Sequence, residues 1–284
     1  MIAETTDWTE QRDRLLRDGV CVIPRVLDPE TLGRVQSHAR SIVSGLSDEH
    51  RRAHRSTGSM VANRHLPSLA ELIAWPPTLD VLARLGFDDV RFARAYLISK
   101  PPHSPPLFWH QDCTMWSGEP RAYSDLPPQL FAMYYLTDTS PENGCLRVIP
   151  GSHRKRHRLH DEVGVAHNTG SRSMDTPESA LYAPAEGEAD VPARAGDLVL
   201  GDARALHASH ANHSNEDRTV ITIWYHPMFS QLRPQTQRQI TELARAEVDH
   251  WPESARRTVA PIIADYRGPA EPLPRDRVPG PQLT

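Results

Sequence analysis

Short apolar segments recur through the second half of the chain, and no helix of comparable length separates them. They are bounded by turn residues, and the first of them alternates between apolar and polar positions. The segments are VRFARAYLISK (90–100), FAMYYLT (131–137), CLRVIP (145–150), DLVLGD (197–202) and TVITIWYHP (219–227). Many short strands without intervening helices favour an antiparallel sandwich or barrel.

The first third of the chain has a helical pattern. Residues 8–18 predict a short helix that ends at Gly19, and residues 20–24 predict a short strand. Asp28 and Pro29 are typical of a helix start. We expect that helix to be followed by a charged loop and two more helical segments. Their ranges are 28–46 for the helix, 47–58 for the loop, and 66–75 and 78–86 for the segments.

Two later stretches lie outside the strand pattern. Residues 154–190 are polar and contain several glycines, so we expect a long excursion from the barrel that acts as a mobile lid. A helix is predicted at about 233–250, and the proline-rich residues from Gly268 onward are expected to trail over the surface. We expect one domain over 1–284, with a helical part (1–88), a β core (89–228) and a C-terminal helix and tail (229–284).

Composition excludes several classes of function. The net charge of -4 and the pI near 6.4 argue against a nucleic-acid or anionic-membrane surface. The three cysteines form no CxxC motif, which fits a reducing cytoplasm. No run of 18 apolar residues is present, and the first residues lack a signal-peptide pattern. We therefore expect a cytoplasmic protein, a monomer or small homo-oligomer, without nucleic-acid or membrane partners.

His110 and Asp112 lie two residues apart after a proline-rich turn. In an extended strand both side chains would point to the same face. One imidazole and one carboxylate are two thirds of the 2-His-1-carboxylate site that binds non-heme Fe(II). A His-x-Asp triplet alone is more often structural, so the interpretation needs a second histidine.

Three histidines downstream are candidates for that second ligand. His207, His210 and His213 have the spacing of a zinc-binding helix face, but Asn212 disfavours a helix and the local pattern is strand-turn-strand. His210 is an alternative to His207 as the ligand. Arg218 opens the apolar strand that follows; it would either form a surface ion pair or face the barrel interior with the residues that share its parity, Val220, Thr222 and Trp224.

Four stretches together carry a resemblance to a known family. They are the helix-Gly-strand-Asp-Pro-helix pattern (12–46), KPPHSPPLFWHQD (100–112), LTDTSPENGCLRVIPGSHR (136–154) and AGDLVLGDARALHASHANHSNEDR (195–218). The chain resembles the phytanoyl-CoA dioxygenase-like family of Fe(II)/2-oxoglutarate-dependent oxygenases. NGCLRVIPGSH, within the third stretch, is the most specific part of the match.

This resemblance implies a fold, a site and a set of cofactors. The fold would be mainly β with flanking helices around a double-stranded β-helix, also called a jelly-roll or cupin-like core. His110, Asp112 and His207 match the iron ligands, and the offsets from Gly196 and to Arg218 favour His207 over His210. Arg218 matches the arginine that binds the far carboxylate of 2-oxoglutarate, and Ser209 and Met133 match that pocket. Fe(II), 2-oxoglutarate and O₂ are the implied cofactors.

The reaction implied is oxidation of a C–H bond in a small molecule. Hydroxylation is the usual outcome, and desaturation, epimerisation or oxidative ring closure are related ones. Candidate substrate contacts are aromatic and polar, which favours a polar small molecule, such as an amino acid or a sugar-containing metabolite, over a long-chain acyl group. These candidates are Trp116, Tyr123, Tyr135 and Arg64. The resemblance implies a role in secondary-metabolite or antibiotic biosynthesis. The alternatives are a halogenase, disfavoured because Asp112 is a carboxylate, and a metal-binding barrel without catalysis.

Overall fold

Two antiparallel sheets face each other in the computed structural model, which describes residues 6–165 and 167–284. The larger sheet has the strand order β1-β8-β5-β10-β3-β2, and the smaller has the order β4-β9-β6-β7. The strands are β1 (Val20–Ile23), β2 (Ser59–Ala62), β3 (Arg91–Lys100), β4 (Leu107–His110), β5 (Leu130–Tyr135), β6 (Leu146–Val148), β7 (Ala189–Val191), β8 (Leu198–Asp202), β9 (His207–Ser209) and β10 (Arg218–His226). The predicted mainly β fold with a double-stranded β-helix core is confirmed.

The larger sheet separates two apolar layers. Alternate residues of β5 show this division, because Ala132 and Tyr134 pack with the helices while Phe131 and Tyr135 pack toward the smaller sheet. The helices on the outer face bury the greater part of the core. The space between the two sheets is therefore the interior of the barrel.

β10 is a central, fully buried strand of the barrel. It pairs with β3 on one side and β5 on the other, and all nine of its residues are buried. Because side chains alternate along a strand, Arg218, Val220, Thr222 and Trp224 share one face. This face lines the interior, as the parity of the sequence predicted.

The helices surround this core and mostly begin and end where the sequence predicted. α1 ends at Gly19, which has a φ of 83°, and the Asp28 side chain accepts a hydrogen bond from the Thr31 backbone at the start of α2. The helices are α1 (Trp8–Asp18), α2 (Pro29–Ser44), α3 (Asp48–Ala53), α4 (Ala70–Ile73), α5 (Pro76–Arg84), α6 (Thr169–Ser173), α7 (Pro234–Val248) and α8 (Glu253–Val259). None of these helices has the length and apolar run needed to cross a bilayer.

The loop predicted at 47–58 is wrong over residues 48–53, which form α3. Ser47 caps this helix by accepting a hydrogen bond from the His50 backbone N–H. Asp48 and Glu49 lie in its first turn, where acidic side chains favour a helix. The charge run therefore stabilises a short exposed helix where we expected a loop.

The excursion at 154–190 packs on the outside of the smaller sheet. It contains α6, β7 and short 3₁₀ turns at Arg158–Asp161, Val163–Val165 and Ala180–Tyr182. Its apolar side chains share a buried cluster with Phe108 and Trp109 of β4. The cluster members from the excursion are Leu159, Val163, Leu181, Tyr182 and Ala185. This packing brings the excursion against the strand that ends at His110.

The C-terminal tail runs over the surface, as predicted, and several contacts anchor it there. The Asp276 backbone N–H donates to the Thr114 carbonyl at 2.9 Å, and the Gly280 N–H donates to the Tyr123 hydroxyl at 2.8 Å. Leu283 is 4% exposed and packs in a cluster with Cys113 and Trp116. Apolar side chains and backbone hydrogen bonds between the prolines thus anchor the tail beside the segment that follows Asp112.

Candidate active site

His110 and His207 are brought together by strand pairing. His110 ends β4, His207 begins β9, and the two are directly opposed in the antiparallel ladder. Residues opposed in this way have neighbouring side chains on one face of the sheet. Their ring centroids lie 4.1 Å apart. Residues 97 positions apart in the chain therefore form one pair of imidazoles.

Asp112 completes a group of three donors. Two backbone hydrogen bonds hold the turn after β4, from the N–H groups of Asp112 and Cys113 to the Ala203 carbonyl at 2.8 and 2.9 Å. His110 Nε2 lies 3.8 Å from Asp112 Oδ1, and His207 Nε2 lies 3.6 Å from Asp112 Oδ2. The Trp224 indole N–H donates to Oδ2 at 2.8 Å and fixes the carboxylate.

The protonation of the three donors suits a divalent cation. Each histidine bonds the carbonyl two residues earlier through Nδ1, His110 to Phe108 and His207 to Ala205, both at 3.0 Å. An Nδ1–H donor leaves the Nε2 lone pair free beside Asp112. Burial, reinforced by His207, lowers the pKa of His110 well below its ordinary value. Although burial alone would raise the pKa of Asp112, the neighbouring His207 and His110 bring it to about 2.

The alternative distal histidine lies elsewhere. His210 Nε2 is 2.6 Å from Asp190 Oδ1 on the outer side of the smaller sheet, and Cys145 lies near both. The backbone N–H of His213 donates to the Glu142 carbonyl in a turn. The structure therefore brings His207 to Asp112, and it places His210 and His213 outside this group.

Arg218 lies at the inner end of a cavity of about 100 Å³ that also reaches His110, Asp112 and His207. The residue is 4% exposed, and its guanidinium has no ion pair or hydrogen bond with any described residue. Burial lowers the pKa of Arg218 from its ordinary value. An unpaired buried cation is costly, so this end of the cavity suits an anion.

Three hydroxyl groups also line this cavity. Ser209 Oγ, Tyr135 Oη and Thr222 Oγ1 are buried without a hydrogen-bond partner in the described part of the chain. Buried polar atoms are normally satisfied, so unsatisfied hydroxyl groups in a cavity wall are available to a polar ligand. Met133 also lines the cavity, together with apolar side chains from both sheets. The predicted cosubstrate residues Arg218, Ser209 and Met133 thus lie in one place.

Only one of the four predicted substrate residues lines the cavity. Tyr135 lines the cavity, whereas Trp116, Tyr123 and Arg64 lie outside it. Trp116 and Tyr123 turn toward the C-terminal tail, with ring centroids 5.2 Å apart, because Leu283 and the tail backbone bury them there. Arg64 is half exposed and pairs with buried Glu247 of α7 at 3.2 Å. In place of these three, the cavity wall contains Thr57, Met60, Leu107, Phe108, His167 and Arg172.

His167 and Arg172 are the main residues that the sequence analysis missed. Both come from the excursion, and the His167 ring centroid lies 4.9 Å from that of His110. His167 sits 56 positions from Gln111, whose carbonyl it contacts, and no regular spacing connects the two. The one signal in the sequence was a histidine within residues 154–190, the segment predicted to act as a lid.

Comparison with known proteins gives relatives at moderate identity. A probable alpha-ketoglutarate-dependent hypophosphite dioxygenase from Stutzerimonas stutzeri is 30% identical over 167 residues, 58% of this chain and 56% of that protein. An ectoine dioxygenase from Nocardia farcinica is 24% identical over 231 residues, 72% of each chain. The match to the hypophosphite dioxygenase thus spans about half of that protein's length.

Solved structures share the fold at lower identity. The non-heme alpha ketoglutarate dependent epimerase SnoN from nogalamycin biosynthesis superposes with a TM-score of 0.59 at 22% identity, covering 96% of this chain and 95% of that one. The carbocyclase SnoK from the same biosynthesis gives a TM-score of 0.58 at 24% identity, over 79% of this chain and 85% of that one.

The fold and the donor group together define a double-stranded β-helix protein of the non-heme iron class. Residues 15–220, which include His110, Asp112, His207 and Arg218, match the family described as Phytanoyl-CoA dioxygenase (PhyH). The chain belongs to this family of Fe(II)- and 2-oxoglutarate-dependent oxygenases.

Proposed function

We propose that this protein is an oxygenase in which His110, Asp112 and His207 hold Fe(II) and Arg218 binds the far carboxylate of 2-oxoglutarate. The observation that carries the proposal is the unpaired, buried Arg218 at the end of the cavity that contains the three donors. A metal site alone would account for three ligands and would leave a buried cation without an anion. 2-Oxoglutarate supplies that anion and reaches the metal from the same cavity.

The residues fit the cofactor by their chemistry. Two imidazoles and one carboxylate on one side of a cavity are the donor set of the facial Fe(II) site. When bound, iron with 2-oxoglutarate and O₂ supplies the oxidising power for C–H bonds. The protein contributes fixed donors, since the carbonyls of Phe108 and Ala205 orient the rings and Trp224 orients the carboxylate.

The other end of the proposed cosubstrate site is built for a carboxylate. Arg218 offers a planar fork of N–H donors, and the Ser209 hydroxyl lies in the same part of the cavity. Ile98, Leu146 and Val220 surround these groups with apolar surface and exclude water. In such surroundings a hydrogen bond to a charged group contributes about 1.5–3 kcal/mol.

We propose that the substrate is a polar small molecule bound near His167, Arg172 and Thr57. Arg172 makes no side-chain ion pair with the described residues and lines the cavity, so it is free to contact a negatively polarised group. The relatives named as ectoine and hypophosphite dioxygenases support a small polar substrate. A role in secondary metabolism rests on the shared fold with nogalamycin enzymes, and hydroxylation, epimerisation and ring closure all fit the site.

The proposal extends to the setting of the enzyme. Cys21, Cys113 and Cys145 are all buried and free of disulfides, which supports a reducing compartment such as the cytoplasm. We propose that it acts as one oxygenase domain, as a monomer or small homo-oligomer.

Metal and turnover assays with matched variants test this function. His110→Ala, Asp112→Ala and His207→Ala should each greatly weaken anaerobic Fe(II) binding and abolish O₂-dependent succinate release from 2-oxoglutarate. His210→Ala is the matched control, because it removes a nearby histidine that bonds Asp190 instead, and it should bind iron normally. Loss of binding in His210→Ala with normal binding in His207→Ala would overturn the assignment. Tight iron binding without any succinate release would favour the non-catalytic barrel.

A further inference from the structure

A third imidazole lies beside the proposed iron site. One ligand atom each from His110, Asp112 and His167 lie within 4.8 Å of one another. The His167 ring packs edge-on against His110, with centroids 4.9 Å apart, and against Phe108 at 5.7 Å. The three side chains thus lie close enough together for one donor atom of each to reach a common metal ion.

One nitrogen of the His167 ring is hydrogen-bonded to the backbone between His110 and Asp112. His167 Nε2–H donates to the Gln111 carbonyl at 3.3 Å, and Arg277 of the C-terminal tail donates to the same oxygen at 3.2 Å. The hydrogen bonds among described residues use His167 Nε2 and leave Nδ1 without a protein partner. A half-buried imidazole that lines the cavity with one nitrogen free is available to a metal ion.

The excursion that carries His167 is attached at a few points near it. The Tyr182 hydroxyl donates to the Ser171 carbonyl at 2.6 Å, and the Ser56 backbone N–H donates to the Arg172 carbonyl at 2.8 Å. The Tyr182 ring lies edge-on to Phe108, with centroids 6.3 Å apart. These contacts place the segment that carries His167 beside the proposed iron site.

We propose that His167 is a fourth protein ligand to the metal before substrate binds, and that it must leave for O₂ to bind. This inference rests on the proposed function of His110, Asp112 and His207. When Fe(II) is bound, a facial triad would leave three positions, enough for a two-point 2-oxoglutarate ligand and for O₂. With His167 bound, no position remains for O₂ once the cosubstrate is present. A substrate that contacts Arg172 or His167 would displace the ring and open the position.

The first test counts imidazoles by pulsed EPR of the Cu(II)-loaded protein. The wild type should show three coupled imidazoles, and His167→Gln, which retains a donor for the Gln111 carbonyl, should show two. His160→Ala is the matched control, because it removes a buried histidine of the same excursion that bonds His157 and lies outside the site. It should still show three. Two imidazoles in the wild type would overturn the inference.

The second test uses Fe(II) and nitric oxide under anaerobic conditions. His167→Gln should weaken Fe(II) affinity about tenfold, a change of the size seen when metal-site partners are removed. In the complex with 2-oxoglutarate it should bind nitric oxide, a probe for the O₂ position, more tightly than the wild type does. Equal nitric oxide affinity in the two proteins would contradict the proposal.

One more variant separates this inference from the proposed function. His207→Ala should lose Fe(II) whether or not His167 is present. If His207→Ala binds iron normally, the proposed site itself fails. If His207→Ala loses iron while His167→Gln equals the wild type in imidazole count, iron affinity and nitric oxide affinity, the site stands and the inference about His167 alone fails.

Discussion

Two buried arginines, fourteen residues apart in the chain, have opposite surroundings. Arg204 is fully buried in the turn between β8 and β9, and its guanidinium forms a forked pair with Asp202, with Nη2 2.6 Å from Oδ2 and Nε 2.9 Å from Oδ1. Its Nη1 donates to the carbonyls of Ala122 and Ser124. Arg218 is buried almost as deeply, but its guanidinium has no partner among the described residues and lines a cavity.

The difference shows how burial alone fails to identify function. A buried ion pair with all its donors satisfied stabilises the local structure, and here it shapes the turn that leads to His207. A buried cation whose donors are unsatisfied among the described residues requires an anion from outside the chain. The first arginine therefore maintains the fold, and the second is proposed to bind a ligand.

The largest expected effect comes from removing the Arg218 fork. Arg218→Ala should weaken 2-oxoglutarate binding by about two to four decades, since losing one partner of a buried ion pair costs about 3–5 kcal/mol. Anaerobic titration of the Fe(II) protein, followed by the charge-transfer absorption of the bound cosubstrate, measures this affinity. Iron affinity without cosubstrate should change little. Arg218→Lys should recover part of the lost 2-oxoglutarate affinity, because lysine restores the charge without the forked geometry.

Undiminished 2-oxoglutarate affinity in Arg218→Ala would refute the assignment of Arg218 to the cosubstrate.

Breaking the structural pair should act on stability instead. Asp202→Ala leaves Arg204 buried with two carbonyl acceptors, so we expect a loss of about 3 kcal/mol in the free energy of unfolding, the lower part of the range for broken buried pairs. Urea unfolding of the ligand-free protein measures this loss.

The stability that the pair contributes should also depend on pH. Burial alone would raise the pKa of Asp202, but the attraction of Arg204 outweighs it and lowers the pKa. The pair therefore contributes its full stabilisation above the pKa of Asp202 in the unfolded state, about 4. That stabilisation is lost as the pH falls through the lower pKa of Asp202 in the folded state. An unchanged unfolding midpoint would show that the pair is dispensable.

Ligand-dependent stability should distinguish the two arginines in one experiment. At 100 times its dissociation constant, 2-oxoglutarate should stabilise the anaerobic metal-loaded wild type by about 2.7 kcal/mol. At the same concentration Arg218→Ala should gain almost nothing, while its ligand-free stability stays equal to or above that of the wild type because an unpaired charge has been removed. Thermal unfolding with and without cosubstrate measures both quantities. A strongly destabilised ligand-free Arg218→Ala would give that residue a structural role after all.

The smallest expected effect concerns the hydroxyl group beside Arg218. Ser209→Ala should weaken 2-oxoglutarate binding by about 1 kcal/mol, the usual contribution of a neutral hydrogen bond. Thr222→Val is the matched comparison, since Thr222 Oγ1 is also buried and unsatisfied in the same cavity. The same absorption titration compares them. If Thr222→Val loses 2-oxoglutarate affinity and Ser209→Ala does not, then Thr222 of β10, and not Ser209 of β9, provides the hydroxyl contact to the cosubstrate.

The parts of the site that lie on strands were predictable from the sequence. Arg218, Val220 and Thr222 face the cavity because side chains alternate along β10, and a period of two is visible in any sequence. His110 ends β4 and follows the same logic, whereas Asp112 lies in the turn after that strand and is held there by the Ala203 carbonyl. Choosing His207 over His210 depended on the resemblance to a family, since local spacing left the alternatives open. Strand pairing provides the physical reason, because it opposes His207 to His110.

The parts contributed by connecting segments were not predictable in this way. His167 and Arg172 reach the cavity through packing of the excursion on β4, and Trp116 and Tyr123 are drawn away by the tail. Such contacts depend on how apolar side chains far apart in sequence fill a shared cluster, which no local pattern records. The substrate end of the cavity, built from these segments, is therefore the end about which the sequence indicated least.

The hydrogen bond from Trp224 to Asp112 also gives the protein an internal optical reporter. An indole within 2.8 Å of a proposed metal ligand should change its fluorescence when a metal ion binds or when the carboxylate turns. Trp224 also lies edge-on to Tyr96, with ring centroids 5.7 Å apart, on the strand that begins with Arg218. The chain has six tryptophans, so the difference in emission between the wild type and Trp224→Phe would follow metal loading in real time, without any label.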